Sequence, residues 1–181
     1  MDDPCAVGRR DFLKAGATAA AVTAAGCGVA PGPWRTLTEA EAKTLAAVCD
    51  RIVPPDQDPG AAQAGAVSFI DRQLATRQKD RRLVYRRCLA ALDATASRRH
   101  GHPFAALPAD VQTALLRDVE KGRVEAADWV GVAPPVFFGI LVDHTMMGFY
   151  GDPRHGGNRG RVSWKMLGVP DPPIRGRLHE G

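Results

Sequence analysis

TLTEAEAKTLAAVCDRIVP, residues 36–54, decides the fold class of this chain. Thr38 followed by Glu41 spells a capping box: the Thr hydroxyl takes a backbone N–H of the first turn, and the Glu carboxylate reaches back to the Thr38 N–H. Leu45, Val48, Cys49 and Ile52 then recur at i, i+3, i+4 and i+7, which is one apolar face of a helix. Pro54-Pro55 stops it. Outward from this helix the same grammar repeats. DQDPG, residues 56–60, reads as a turn. A second helix is predicted over about 61–76, with Val67, Ile70 and Leu74 on one face. A third covers about 79–98, with Val84, Cys88, Ala91, Leu92 and Thr95 inward and Arg81, Arg82, Arg86, Arg87, Arg98 and Arg99 solvated. After a break at 101–104, LPADVQTALLRDVEKG (107–122) gives a fourth, with Pro108 in its first turn, Val111, Leu115 and Val119 as its stripe, and Gly122 at its end. A fifth begins near Pro134-Pro135 and runs to about Tyr150, lining up Phe137, Ile140, Leu141, His144 and Gly148. No stretch alternates long enough to be a strand. The expected fold is therefore all-α, a small bundle of about five helices.

Composition agrees. Hydrophobic residues make up 45% of the 181 and aromatics only 6%, so the core must rest on Leu, Ala, Val and Ile. That mixture favours helices over strands. The formal net charge is +4, with Lys and Arg scattered rather than gathered on one face with aromatics. A nucleic-acid partner is not expected from that pattern. The chain divides into an export-like segment (1–30), a linker (31–36), a helical domain (37–172) and a tail (173–181).

The first segment carries Arg9-Arg10, then Phe12, Leu13 and Lys14, then an uncharged Ala-rich run to Gly26. It resembles a twin-arginine export signal, and the run is too short and too weakly apolar for a membrane span. Cys27 follows Ala24-Ala25-Gly26, which resembles a lipoprotein processing site. Cleavage there leaves Cys27 as a lipid-bearing N-terminus at a membrane. Cleavage after Gly28-Val29-Ala30 is the alternative, disfavoured by Pro31. The twin-arginine route carries proteins that fold before export, often around a cofactor. A chain without a cofactor motif on that route either folds fast or escorts a cofactor-loaded partner.

From Gly151 the character changes. GDPRHGGNRGRVSWKMLGVPDPPIRGR is rich in Gly and Pro yet holds Trp164, Met166 and Leu167, so we read it as an ordered irregular segment packed on the helices or on a partner. Gly156-Gly157-Asn158-Arg159-Gly160 lacks the spacing and the preceding strand of a dinucleotide loop and reads as tight turns. Haem attachment by C-x-x-C-H is absent. Cys5, Cys27, Cys49 and Cys88 lie too far apart for a zinc or iron–sulfur motif. Cys5 precedes the Arg pair and leaves with the signal. Cys49 and Cys88 face inward on two helices, as a disulfide or, in keeping with how well Cys packs, as two buried thiols. His144 is expected to be a core histidine bonded to a backbone carbonyl, with Asp143 and Asp152 as further candidate partners. His155 either meets a partner or stands in solvent. Tyr150 and Trp164 are the aromatic candidates for an interface, or else they pin the C-terminal segment to its own helices.

In their order along the chain, His144-Thr145, Gly148-Phe149-Tyr150, Asp152-Pro153, Gly156-Gly157-Asn158, Trp164 and Gly168-Val169-Pro170 form a signature. It resembles the C-terminal signature of the gluconate 2-dehydrogenase subunit 3 family. The resemblance extends to residues 36–54 and to PGAAQAGAVSFIDRQL (59–74), so it covers about 37–172. Met147, His155 and Val169 depart from the family's usual Glu, aromatic and Phe. The resemblance implies the small, non-catalytic subunit of a periplasmic, membrane-associated complex. In such a complex a large FAD-dependent subunit oxidises a sugar, sugar acid or alcohol, and a multihaem cytochrome c subunit carries haem c and passes electrons on. The small subunit supports folding, export and assembly of the flavoprotein and holds no cofactor or metal. His144, Tyr150, Asp152, Asn158 and Trp164 are its motif and interface candidates. The alternative reading is a stand-alone periplasmic oxidoreductase or electron-transfer protein with a cofactor of its own.

Overall fold

The computed structural model describes residues 33–170, and every regular element among them is helical. Helix α1, Glu39–Ile52, begins at the capping box: Glu41 N–H donates to Thr38 Oγ1 at 3.2 Å and Thr38 N–H donates to Glu41 Oε2 at 2.7 Å. Glu39 and Glu41 in the first turn also meet the positive end of the helix dipole. Leu45, Val48 and Cys49 are fully buried.

Helix α2 is shorter than its apolar pattern predicts. It runs Ala66–Ala75, and residues 61–65 form a turn instead. The reason lies in Gly65, whose φ of 90° is left-handed and cannot continue a right-handed helix. A 3-10 turn at Lys79–Arg81 leads into α3, Arg82–His100. Its inward face includes Tyr85 and Leu89, two buried residues the apolar pattern did not assign, while Val84 is only half-buried. Helix α4, Ala109–Glu120, starts one residue after Pro108, which caps it from outside rather than joining its first turn. Gly122 and Arg123 close α4 by donating back to Val119 and Asp118. Helix α5 is Pro134–Tyr150, where the paired prolines put it.

Helix α5 is the central element, packed against α2, α4 and α1, while α1 also meets α3. Two devices fix the long connection into α5. Arg99 spans Asp118 at 2.9 Å, Glu125 at 3.0 Å and the Arg123 carbonyl at 2.8 Å. Trp129 is buried, donates its indole N–H to Thr95 Oγ1 at 3.2 Å, and packs on Phe137.

Both described cysteines are free and buried, so no Cys49–Cys88 disulfide exists in this structure. Cys49 Sγ lies 3.5 Å from Thr145 Oγ1. Burial pushes the Cys49 thiol up to about 12 and the Cys88 thiol up to about 11. Residues 151–170 are turns plus a short helix, α6 (Val162–Met166), which the Gly/Pro-rich sequence did not announce.

Candidate functional site

Helix α5 presents His144, Thr145 and, one turn on, Gly148 to the interior, and each meets a different neighbour. The His144 ring lies parallel to Tyr85 at 5.7 Å, and its Nδ1 shares a 2.7 Å hydrogen bond with the Tyr85 hydroxyl. Both side chains are buried. Burial lowers the His144 pKa and raises that of Tyr85, so both groups are held neutral. The partner of His144 is therefore a side chain of α3 and not the backbone carbonyl that was expected. Asp143 is exposed and Asp152 bonds elsewhere, so neither takes that place.

At Gly148 the chain comes closest to itself. A β-carbon there would stand 2.9 Å from Ala66 Cα, so the glycine lets α2 and α5 touch backbone to backbone. The Gly148 carbonyl turns outward from this contact and accepts from Asn158 N–H at 2.8 Å. Asn158 is fully buried in the left-handed region at φ 43°, ψ 46°, a conformation Asn tolerates better than most residues. Its side chain donates to the Gly151 carbonyl at 3.0 Å and accepts from Ser163 N–H at 3.1 Å. One asparagine thus joins the end of α5 to the start of α6. Arg159 N–H donates to the Ala64 carbonyl at 2.8 Å and ties the same loop to the turn before α2. Trp164, half-buried, completes the clasp by donating its indole N–H to the Tyr150 carbonyl at 2.9 Å. Asp152 caps the turn at Pro153–His155 and pairs with Arg154; that bonding from the Arg154 side chain and N–H holds its carboxyl down to about 2.

Between this clasp and the chain entering α1 lies an open cleft of about 450 Å³. Asp71 forms its buried floor. One oxygen accepts from Thr36 N–H, Thr36 Oγ1 and Leu37 N–H at 2.8, 2.9 and 3.1 Å, and the other accepts from Arg35 N–H at 2.7 Å. The walls carry Trp34, Arg35, Arg72, Gly156, Gly157 and Arg159. Arg72 donates to the Arg154 carbonyl at 3.2 Å, and Arg159 donates to Ser68 Oγ at 2.6 Å.

With this geometry in hand, the family model described as gluconate 2-dehydrogenase subunit 3 matches residues 39–170. The chain belongs to the gluconate 2-dehydrogenase subunit 3 family. Neither the curated proteins nor the solved structures contain a match to it. The family motif is, in this member, a structural clasp. His144 and Asn158 are interior residues: His144 Nδ1 meets the Tyr85 hydroxyl, and the Asn158 side chain bonds the backbone of Gly151 and Ser163. Tyr150 is exposed, and Asp152 and Trp164 are partly so. His155 is exposed. Arg9, Arg10, Phe12, Leu13, Lys14 and Cys27 lie outside the described residues. Among the described residues no helix is long and apolar enough to cross a membrane, and no group of three or more His, Cys, Asp or Glu side chains is placed to hold a metal ion.

Sequence reasoning passed over Asp71 and Tyr85. Asp71 did leave a signal: with Val67 and Leu74 it stands at i, i+4 and i+7, a carboxylate in the middle of an apolar stripe. The arginine cleft left none, because its members come from positions 35, 72 and 159.

Proposed function

We propose that this chain is a non-catalytic accessory subunit that supports folding, export and assembly of a periplasmic FAD-dependent dehydrogenase acting on a sugar, sugar acid or alcohol. The observation that carries the proposal is membership of a family named for the third subunit of a dehydrogenase, which implies association with other subunits. The structure lends support in its surface. The clasp holds α6 against the end of α5, and around that junction Met147, Tyr150, Leu167 and Val169 are 52%, 37%, 61% and 45% exposed. Apolar side chains grouped this way gain from being covered by a larger subunit. On this reading the flavin sits on that larger subunit, haem c on a third, and Arg9-Arg10 direct the assembled pair through the twin-arginine route, with Cys27 as a lipid anchor.

Coexpression with the flavin-bearing subunit tests the proposal. The two chains should copurify, and deleting this one should strand the flavoprotein in the cytoplasm or leave it inactive. Full secretion and activity of the flavoprotein without this chain would refute the accessory role. A flavin or haem absorption spectrum from this chain purified alone would favour a catalyst in its own right.

A further inference from the structure

Three arginines, Arg35, Arg72 and Arg159, line the cleft above Asp71, and among the described residues none of the three forms an ion pair. Arg86, Arg98, Arg99, Arg123 and Arg154 each pair with a carboxylate, whereas the cleft brings three arginines without one into a single concave site. The one carboxylate in the cleft has its oxygens engaged by four donors from residues 35–37. The cleft therefore carries net positive charge, three arginines against the single carboxylate of Asp71, in a concave site.

The backbone at Arg35 and the side chains of Arg72 and Arg159 are also fixed in place. Arg35 is anchored through its own backbone N–H on Asp71. Arg159 is held by its backbone N–H on Ala64, and its side chain crosses Gly65, where a β-carbon would come within 2.8 Å of Nε. Arg72 passes equally close to Gly156, where a β-carbon would meet its Cδ at 2.8 Å. Two glycines thus open the room these side chains use, and one of them belongs to the family motif.

We propose that this cleft seats an acidic segment of the dehydrogenase partner, whose side-chain carboxylates engage Arg35, Arg72 and Arg159 together; the proposal rests on the accessory-subunit reading above. Chemistry and shape both favour a peptide segment over a small free anion. All three arginines are exposed and the cleft is open, so a lone anion would stay hydrated and screened by salt. A protein segment brings several carboxylates at once and excludes water as it seats. Guanidinium forks suit such carboxylates because they offer paired donors in a plane. The Trp34 indole on the rim, tied to Glu39 Oε2 at 3.1 Å, supplies an apolar face for the segment's backbone and side-chain stems.

Fluorescence anisotropy with a labelled oligoglutamate peptide tests this on the full chain. The parent should bind, with affinity falling at least about tenfold between low and physiological salt. Arg35→Gln with Arg72→Gln should weaken binding by about tenfold or more while leaving Arg159 packed across Gly65. Arg117→Gln on α4 with Lys121→Gln just after its end, which changes the net charge equally, should leave affinity within about twofold. Absence of peptide binding, equal loss in both double variants, or displacement of the peptide by millimolar inorganic phosphate would each overturn the proposal. Copurification with the flavin-bearing subunit reports separately. If it holds while the arginine variants bind peptide normally, only the cleft proposal falls. If it fails while the peptide result stands, only the subunit reading falls.

Discussion

Gly157→Ala is the sharpest test of the clasp. A β-carbon at 157 would stand 2.0 Å from the Gly148 carbonyl oxygen and 2.8 Å from its carbon. Ordinary carbon–oxygen approach ends near 3.3 Å, so the loop must retreat by roughly 1 Å. The atom it collides with is the acceptor for Asn158 N–H, so retreat breaks that 2.8 Å bond and loosens the neighbouring bond from Arg159 to Ala64. Overpacking a filled site costs about 1–3 kcal/mol. A buried hydrogen bond lost without replacement adds about 1–3 kcal/mol. The sum, roughly 2–6 kcal/mol, is capped by the free energy of peeling residues 151–170 off the bundle. At about 2–4 °C per kcal/mol for a domain of this size, the melting temperature should fall by about 5–15 °C. Gly139→Ala is the matching control. It lies in α5 with nothing within 4 Å of its would-be β-carbon, and alanine there should stabilise by about 0.5–1 kcal/mol. Calorimetry gives the global effect, and hydrogen exchange at the Asn158 and Arg159 amides shows whether the clasp opens first. If Gly157→Ala melts within about 1 °C of the parent and both amides stay protected, the reasoning is wrong.

Three further outcomes follow from the interior. Acid should weaken the Tyr85–His144 core: burial lowers the folded pKa of His144, so below its ordinary value near 6.5 the unfolded chain binds the proton more readily. Stability should therefore decline as pH falls from about 6.5 toward the lowered folded value, and denaturant midpoints across that range should lose this slope in His144→Gln. Cys49 and Cys88, with thiols pushed up to about 12 and about 11, should resist iodoacetamide in the native state and react once unfolded, as peptide mass mapping would show. Asp71→Ala should leave three buried or half-buried N–H groups without an acceptor, cost about 2–4 kcal/mol, and free residues 35–37 to exchange and to proteolysis; an unchanged melting curve would contradict the clamp.

Local signals on the helices translated directly into structure. The Thr38–Glu41 pair, Pro54, Pro134-Pro135 and Gly122 set the ends of α1, α4 and α5 through bonds within a few residues. The errors came where a distant element overrode a local preference. Residues 61–65 have helical composition, yet Gly65 turns left-handed where Arg159 packs across it. Tyr85 was passed over on α3 because its burial depends on a histidine of α5.

The linear order of residues was enough to determine the all-α class, five of the helices and the family, since caps, turn residues and apolar periodicity act over a single turn or two. It could not determine what the motif does. His144 meets Tyr85 across 59 residues, Arg35 meets Asp71 across 36, and Arg159 meets Ser68 across 91. Packing of α2 against α1 and α5, and the contact of α5 with Tyr85 on α3, bring these partners together. Hydrogen bonds and charge clusters of that span follow from where helices come to rest, and no local pattern encodes them.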